Sequence, residues 1–238
     1  MAQPFTSNEV LARLSPDDVE LFTPYLKRVD LPLHKSLEIP RKPIKHTYFP
    51  ESGCLSVVAD GPPGQRVEVG MIGREGMTGL AVVLGTDRTS SETVVQNAGS
   101  AMKVSVNEFR NAMEKSVSLR RRFTRYAHAF LIQVSQRARA NARHKMEERI
   151  ACWLLMLHDR LRTNDLTVTH EFLAVMLGVR RSGVTTALGV LKDASINFDP
   201  PRRDYDCRPG RAPANCQRVL WDLRIRTDRL ISPGAPAA

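Results

Sequence analysis

The hydrophobic pattern of this chain changes period once, and that change limits the fold more than any other feature. From Val29 to about Val106, apolar residues come in short stretches separated by turn signals. The turns are Glu51-Ser52-Gly53, Asp60-Gly61-Pro62-Pro63-Gly64, Gly73-Arg74-Glu75-Gly76 and Asn97-Ala98-Gly99. Strand candidates cover residues 47–49, 54–59, 66–71, 93–96 and 101–106. Short strands at this spacing predict an antiparallel sandwich or barrel. From Asn107 onward the spacing is helical. A short helix starts at Asn107-Glu108-Phe109-Arg110, and long ones are expected over about 117–142 and 146–161. In the last of these, Ile150, Trp153, Leu154 and Leu157 point inward. Residues 8–29 also have helical spacing, interrupted at Ser15-Pro16, where Pro16 suits the first turn of a new helix.

The helix over 117–142 carries one apolar stripe. Leu119, Phe123, Tyr126, Phe130 and Val134 follow each other at intervals of 4, 3, 4 and 4. Its other side is basic, with no acid between Glu114 and Glu147. A stripe this long, on one helix between two domains, predicts pairing with the same helix of a second copy, and hence a homodimer. The alternative is that the stripe packs on the chain's own sandwich.

Charge separates the two halves. Residues 1–114 hold 12 basic and 14 acidic residues, and residues 115–238 hold 23 basic and 11 acidic. The second half is therefore the one expected to meet a polyanion, with nucleic acid first, because phosphate contacts need Lys and Arg.

Residues 169–191 give that expectation a shape. Thr169 can cap a helix holding Phe172, Leu173, Val175, Met176 and Leu177. Gly178 follows at once and can take the left-handed conformation that ends a helix tightly. A second helix starts near Arg181, with Val184, Leu188 and Leu191 at helical intervals. Ala174 is small enough to let the two approach. This is a helix-turn-helix pattern. Its second helix offers Arg180, Arg181, Ser182, Thr185 and Thr186 near its start, where base edges would lie.

The order of sandwich, long helix and helix-turn-helix resembles the Crp/Fnr family of dimeric regulators. The resemblance covers about residues 8–197. It rests on Tyr48-Phe49-Pro50-Glu51-Ser52-Gly53, on Val69-Gly70-Met71-Ile72-Gly73-Arg74-Glu75-Gly76-Met77, and on the run from Leu173 to Leu191. It implies an α+β chain: an N-terminal cyclic-nucleotide-binding-like jelly roll over 1–116, a dimerisation helix over 117–143, and a winged helix-turn-helix domain over 144–197. It further implies that Arg181, Ser182 and Thr186 face bases, that Thr169, Arg180 and Thr185 contact phosphates, and that RNA polymerase is a candidate partner. Two departures matter. The effector pocket would involve Gly79, Leu80, Ser90 and Ser91. Where cyclic-AMP-binding members have a Gly-Glu pair, this chain has Gly79-Leu80, and no arginine stands beside Ser90-Ser91. An apolar Leu80 cannot bond a ribose hydroxyl, so the effector is unknown and cyclic AMP is argued against. Many members also carry Glu and Arg on the recognition helix where this chain has Ser182 and Thr186, so their operator sequence does not transfer.

The last segment breaks the pattern. The family would supply a wing of two short strands after Ile196. Residues 199–238 instead contain six prolines and eight arginines with no lysine or glutamate, a composition that argues against strands and predicts a disrupted wing. Codons can be chosen for residues 198–213 that read, one base later, as a hairpin pattern followed by a helix start. The same offset turns Leu220-Trp221-Asp222-Leu223-Arg224 into Tyr-Gly-Ile-Tyr-Glu. The reading is a frameshift near Phe198; the alternative is a natural disordered tail over 198–238.

Other functions find little support. Cys54, Cys152, Cys207 and Cys216 lack metal or disulfide spacing, the six histidines are scattered, and no catalytic set or Gly-Lys-Ser/Thr phosphate loop is present. No enzyme activity and no cofactor are expected. No apolar run approaches the roughly 18 residues a membrane span needs. The first ten residues lack the pattern of a signal peptide, so a cytoplasmic protein without membrane contact is expected.

Overall fold

The structure is a computed structural model that describes residues 5–59, 61, 62, 65–162, 165–193, 198, 199 and 204–206. The N-terminal part starts with α1 (Pro16–Phe22), capped by Ser15 with Pro16 at its first position. A 3-10 turn (Thr23–Tyr25) leads into β1 (Lys27–Leu31). The helical spacing read across residues 8–29 therefore ends early. Leu26 and Val29 fit a helix by position, but Pro24 breaks the run and Lys27–Leu31 pairs with a later strand.

Six further strands follow: β2 (Ser36–Glu38), β3 (His46–Pro50), β4 (Cys54–Ala59), β5 (Val67–Ile72), β6 (Ser91–Asn97) and β7 (Gly99–Ser105), with the short helix α2 (Leu80–Val83) between β5 and β6. They form two antiparallel sheets, ordered β1-β7-β3 and β2-β6-β4-β5. In the second sheet β5 is an outer strand, paired only on its β4 side, Leu55 opposite Ile72 and Ser56 opposite Met71. The turn signals recognised in the sequence lie between these strands. At Gly53 and Gly99 they are unavoidable, because a Cβ there would come within 2.4 Å and 2.2 Å of backbone oxygens.

Beyond the sandwich come α3 (Val106–Lys115), α4 (Val117–Arg143) and α5 (Met146–Leu161). Ser105 and Glu108 close a reciprocal cap at the start of α3, and Ser116 caps α4 through the Leu119 amide. Next are β8 (Asp165–Thr167), α6 (His170–Leu177) and α7 (Arg181–Asp193). The strands β9 (Phe198–Asp199) and β10 (Asp204–Asp206) close a small sheet ordered β8-β10-β9. This corrects the expectation that the proline- and arginine-rich segment forms no strands: Tyr205 stands opposite both Leu166 and Phe198. Strands of two or three residues ask for little β propensity when a partner edge is already in place. The rest of the 198–238 tail lies outside the described residues.

The α4 stripe turns inward. Leu119 and Phe123 are fully buried, and Tyr126 and Phe130 nearly so, inside a single protomer. Phe123 stacks on Phe109 at 4.8 Å and meets Phe22 and Phe49 at 5.8 and 5.7 Å. The fit leaves no slack. A Cβ at Gly76 would lie 2.1 Å from the Tyr126 hydroxyl, and one at Gly70 would lie 2.6 Å from the Phe130 ring. Val134 is half-buried against the same sandwich. Assigning Leu119, Phe123, Tyr126 and Phe130 to a dimer seam is therefore wrong: these side chains are the floor of the protomer's own core. Periodicity says that a face is covered, not what covers it.

Candidate nucleic-acid interface

The helix-turn-helix stands on α5. Ile150, Trp153, Leu154 and Leu157 of α5, Leu173 and Leu177 of α6, and Val184, Leu188 and Leu191 of α7 share one buried cluster. Thr169 caps α6, its hydroxyl accepting the Phe172 amide at 3.1 Å. At the other end Gly178 has φ +64, and the Val179 amide returns to the Ala174 carbonyl at 2.9 Å. Those two features turn the chain by a fixed amount into α7. Ala174 is buried where the helices meet, as its size suggested.

The turn puts one row of side chains on the surface. Arg180, Arg181, Ser182, Thr185 and Thr186 are all exposed, as is Thr169. Val184, between them in sequence, and Ala187 and Leu188, just after them, are buried. Ser182, Thr185 and Thr186 share a face at intervals of three and four. The hydroxyls of Thr185 and Thr186 donate to the carbonyls of Arg181 and Ser182, both at 3.1 Å. Neither Arg180 nor Arg181 forms an ion pair with a described residue. Sequence reasoning missed His170, whose Nδ1 lies 3.1 Å from the Thr185 hydroxyl. It joins the start of α6 to the recognition row, and its only sequence signal is its place next to the capping Thr169.

The effector positions look different. Gly79 is buried at φ +80, ahead of α2. Its amide donates to Oε1 of Glu38 at 2.6 Å, and the Thr93 hydroxyl donates to Oε2 at 2.5 Å. Burial pushes the Glu38 carboxyl up, against the pull of those two donors. Leu80 is half-buried and packs into the sandwich core. Ser90 is exposed and Ser91 opens β6, its amide held by the Thr89 hydroxyl at 3.1 Å. The structure thus joins Gly79 to Glu38 and Thr93 and makes no bond between Gly79 and Ser90 or Ser91. Nothing in the sequence pointed to Glu38, a lone acid in a three-residue strand.

The two halves meet at a second buried carboxylate. Glu68 of β5 accepts from Trp153 of α5 at 2.8 Å and lies 3.6 Å from Arg137 of α4. Burial pushes Glu68 up, opposed first by the Arg137 guanidinium.

Comparison with known proteins agrees with this geometry. Residues 148–197 match the Crp-like helix-turn-helix domain. The fold is that of solved Crp/Fnr structures. The c-di-GMP responsive global regulator CLP of Xanthomonas campestris superposes with a TM-score of 0.64 at 17% identity, over 81% of this chain and 98% of that one. FixK2 of Bradyrhizobium japonicum gives 0.66 at 16%, over 82% and 96%. A CRP-family transcriptional regulator of Thermus thermophilus gives 0.59 at 17%, over 88% and 100%. No curated protein matches the sequence significantly. Among the described residues no helix is long and apolar enough to cross a membrane. The chain carries a Crp-like helix-turn-helix domain, the DNA-binding module of a transcription regulator, on the fold of the Crp/Fnr proteins.

Proposed function

We propose that this chain is a sequence-specific DNA-binding transcription regulator, with a sensor-like sandwich (1–116), a dimerisation helix (117–143) and a DNA-reading domain (144–197). The observation that carries the reading is the exposed row on α7 behind Gly178, on the basic half of the chain. In this reading Arg181, Ser182 and Thr186 meet base edges, while Thr169, Arg180 and Thr185 meet phosphates. RNA polymerase is the further partner such a regulator would encounter at a promoter. Glu38 and Leu80 at the effector positions fit a signal other than cyclic AMP.

The homodimer reading is kept with a different seam. On the outer face of α4, Thr124, His128, Leu131, Ser135, Ala138 and Ala142 are exposed at intervals of 4, 3, 4, 3 and 4. That is the heptad spacing that keeps one side of a helix against a twin. Leu131 is 53% exposed at its centre, high for a leucine with nothing to cover it. Salt-dependent binding of the full chain to DNA from its own promoter region, run beside sedimentation, tests both statements. A monomer without DNA affinity would refute them.

A second reading is favoured by the reading-frame observation. If the segment from Phe198 onward arises from a frameshift, the chain is a remnant that binds DNA weakly, mainly through charge. The nucleotide sequence decides this: a single-base shift either restores the hairpin reading or does not.

A further inference from the structure

An outer strand of a sheet exposes backbone donors and acceptors that usually attract another strand. On β5, side chains of α4 and α5 take those places. The Met71 amide donates to Oε1 of Gln133 at 2.7 Å, and Nε2 of Gln133 returns to the Met71 carbonyl at 3.2 Å. Arg160 of α5 donates to the same carbonyl at 3.2 Å and pairs with Glu75 at 2.9 Å. At the start of the strand, Val67 lies against Gly178, at 3.3 Å from where a Cβ would stand.

Glu68 lies between these contacts with its side chain fully enclosed. Ser56 of β4 donates to Oε2 at 2.7 Å, and Trp153 and Arg137 converge on Oε1. Three units therefore meet at one carboxylate: the sandwich, the long helix and the helical domain. Trp153 in turn meets Phe172 of α6 edge-on at 6.0 Å. The path from Glu68 to the recognition helix is Trp153, Phe172, α6 and the turn at Gly178.

A buried ion pair is a poor source of stability, because an apolar pair of the same volume does as well or better. What the site adds is direction: the hydrogen bonds to its carboxylate fix an angle that apolar packing leaves free. Here the direction comes from the Trp153 indole N–H and the Ser56 hydroxyl, which donate to Glu68 at 2.8 and 2.7 Å. Arg137 lies 3.6 Å away, with no hydrogen bond from Nε or Nη2 among the described residues, and adds charge.

We infer that Glu68 is a positioning residue for DNA recognition: through Arg137 and Trp153 it sets the angle at which α6 and α7 stand on the sandwich and on α4, without touching DNA. The inference rests on the DNA-binding reading. A dimer must present two recognition helices about 34 Å apart, one turn of the duplex. A small rotation at Glu68 spoils both half-sites together.

The test uses the full chain, fluorescence anisotropy, DNA from its own promoter region and random-sequence DNA of equal length. Wild type should prefer the promoter DNA; absence of any preference would remove the DNA-binding reading and this inference with it. Glu68→Gln keeps the shape and removes the charge. Its affinity for promoter DNA should fall about tenfold. Its affinity for random DNA and its salt slope should stay unchanged, because no phosphate contact is lost. Glu68→Asp should recover part of the preference. The apolar pair Glu68→Leu with Arg137→Met should restore the melting temperature but not the preference, which separates positioning from mere stability. Three results overturn the inference: an unchanged preference in Glu68→Gln, an equal loss on both DNAs, or tighter promoter binding.

Discussion

Two glycines in left-handed backbone stand ahead of helices in this molecule, and their surroundings are opposite. Gly79 leads into α2 from inside the sandwich, its amide held by Glu38. Gly178 leads into α7 at the surface, with Val67 as its nearest side chain. Around Gly79 the chain supplies its own carboxylate, so the amide is already taken. After Gly178 the side chains of Arg180, Arg181 and Ser182 are exposed. The contrast says which end of the molecule is built to meet something: polar groups already satisfied inside are structure, and those turned outward at helical spacing are an offer to a partner. The same contrast divides α4, whose inner face is sealed by Phe123 and Phe130 while Leu131 stands outside.

The largest effect should come from that helix. Phe123→Ala removes a fully buried ring that touches three others, so the protomer should lose about 3–5 kcal/mol in denaturant unfolding. Leu131→Ala should cost the protomer under about 1 kcal/mol, as surface changes do, yet shift the dimer toward monomer in sedimentation. If Phe123→Ala gave a stable monomer instead, the inner and outer faces would have to be exchanged.

The glycines themselves give the next effect. Left-handed backbone costs a residue with a Cβ roughly 1–2 kcal/mol. Gly178→Ala should cost about that, because its nearest neighbour is at 3.3 Å. Gly79→Ala adds a collision, with the Thr47 hydroxyl 2.5 Å from the new Cβ. Its melting temperature should fall clearly further than that of Gly178→Ala, and equal losses would mean that the Gly79 site is not closed. The smallest effect is none at all: calorimetry with micromolar cyclic AMP should show no heat of binding, and a clear isotherm would show that Glu38 does not fill the site.

Much of this is legible in the sequence. The strand at Cys54–Ala59 and the helices α4, α5 and α7 carry long, one-sided or alternating patterns, and such patterns survive whatever packs against them. Thr169 and Gly178 announce the turn because their chemistry is local: one caps, the other bends. What stayed hidden was short or depended on a distant partner. Lys27–Leu31 has two apolar residues in five and looks like the tail of a helix until β7 is beside it. Glu38 and Glu68 look like surface acids, since nothing near them in sequence tells of Gly79, Arg137 or Trp153. The direction of the Phe123 stripe also depends on distant partners, Phe22 and Phe49. The strands at Phe198–Asp199 and Asp204–Asp206 went against composition because β8, far earlier in the chain, provides the edge.

The central claim is that α7 reads DNA by sequence. Binding of wild type, Arg181→Ala and Arg180→Ala to promoter and random DNA across a salt series tests it most directly. Arg181 at the start of α7 can make a paired contact to guanine, so Arg181→Ala should lose about 1–3 kcal/mol of discrimination while its salt slope barely moves. Arg180→Ala should weaken binding to both DNAs alike and lower the salt slope by about 1. If both variants kept wild-type preference and slope, α7 would not be the DNA-reading element.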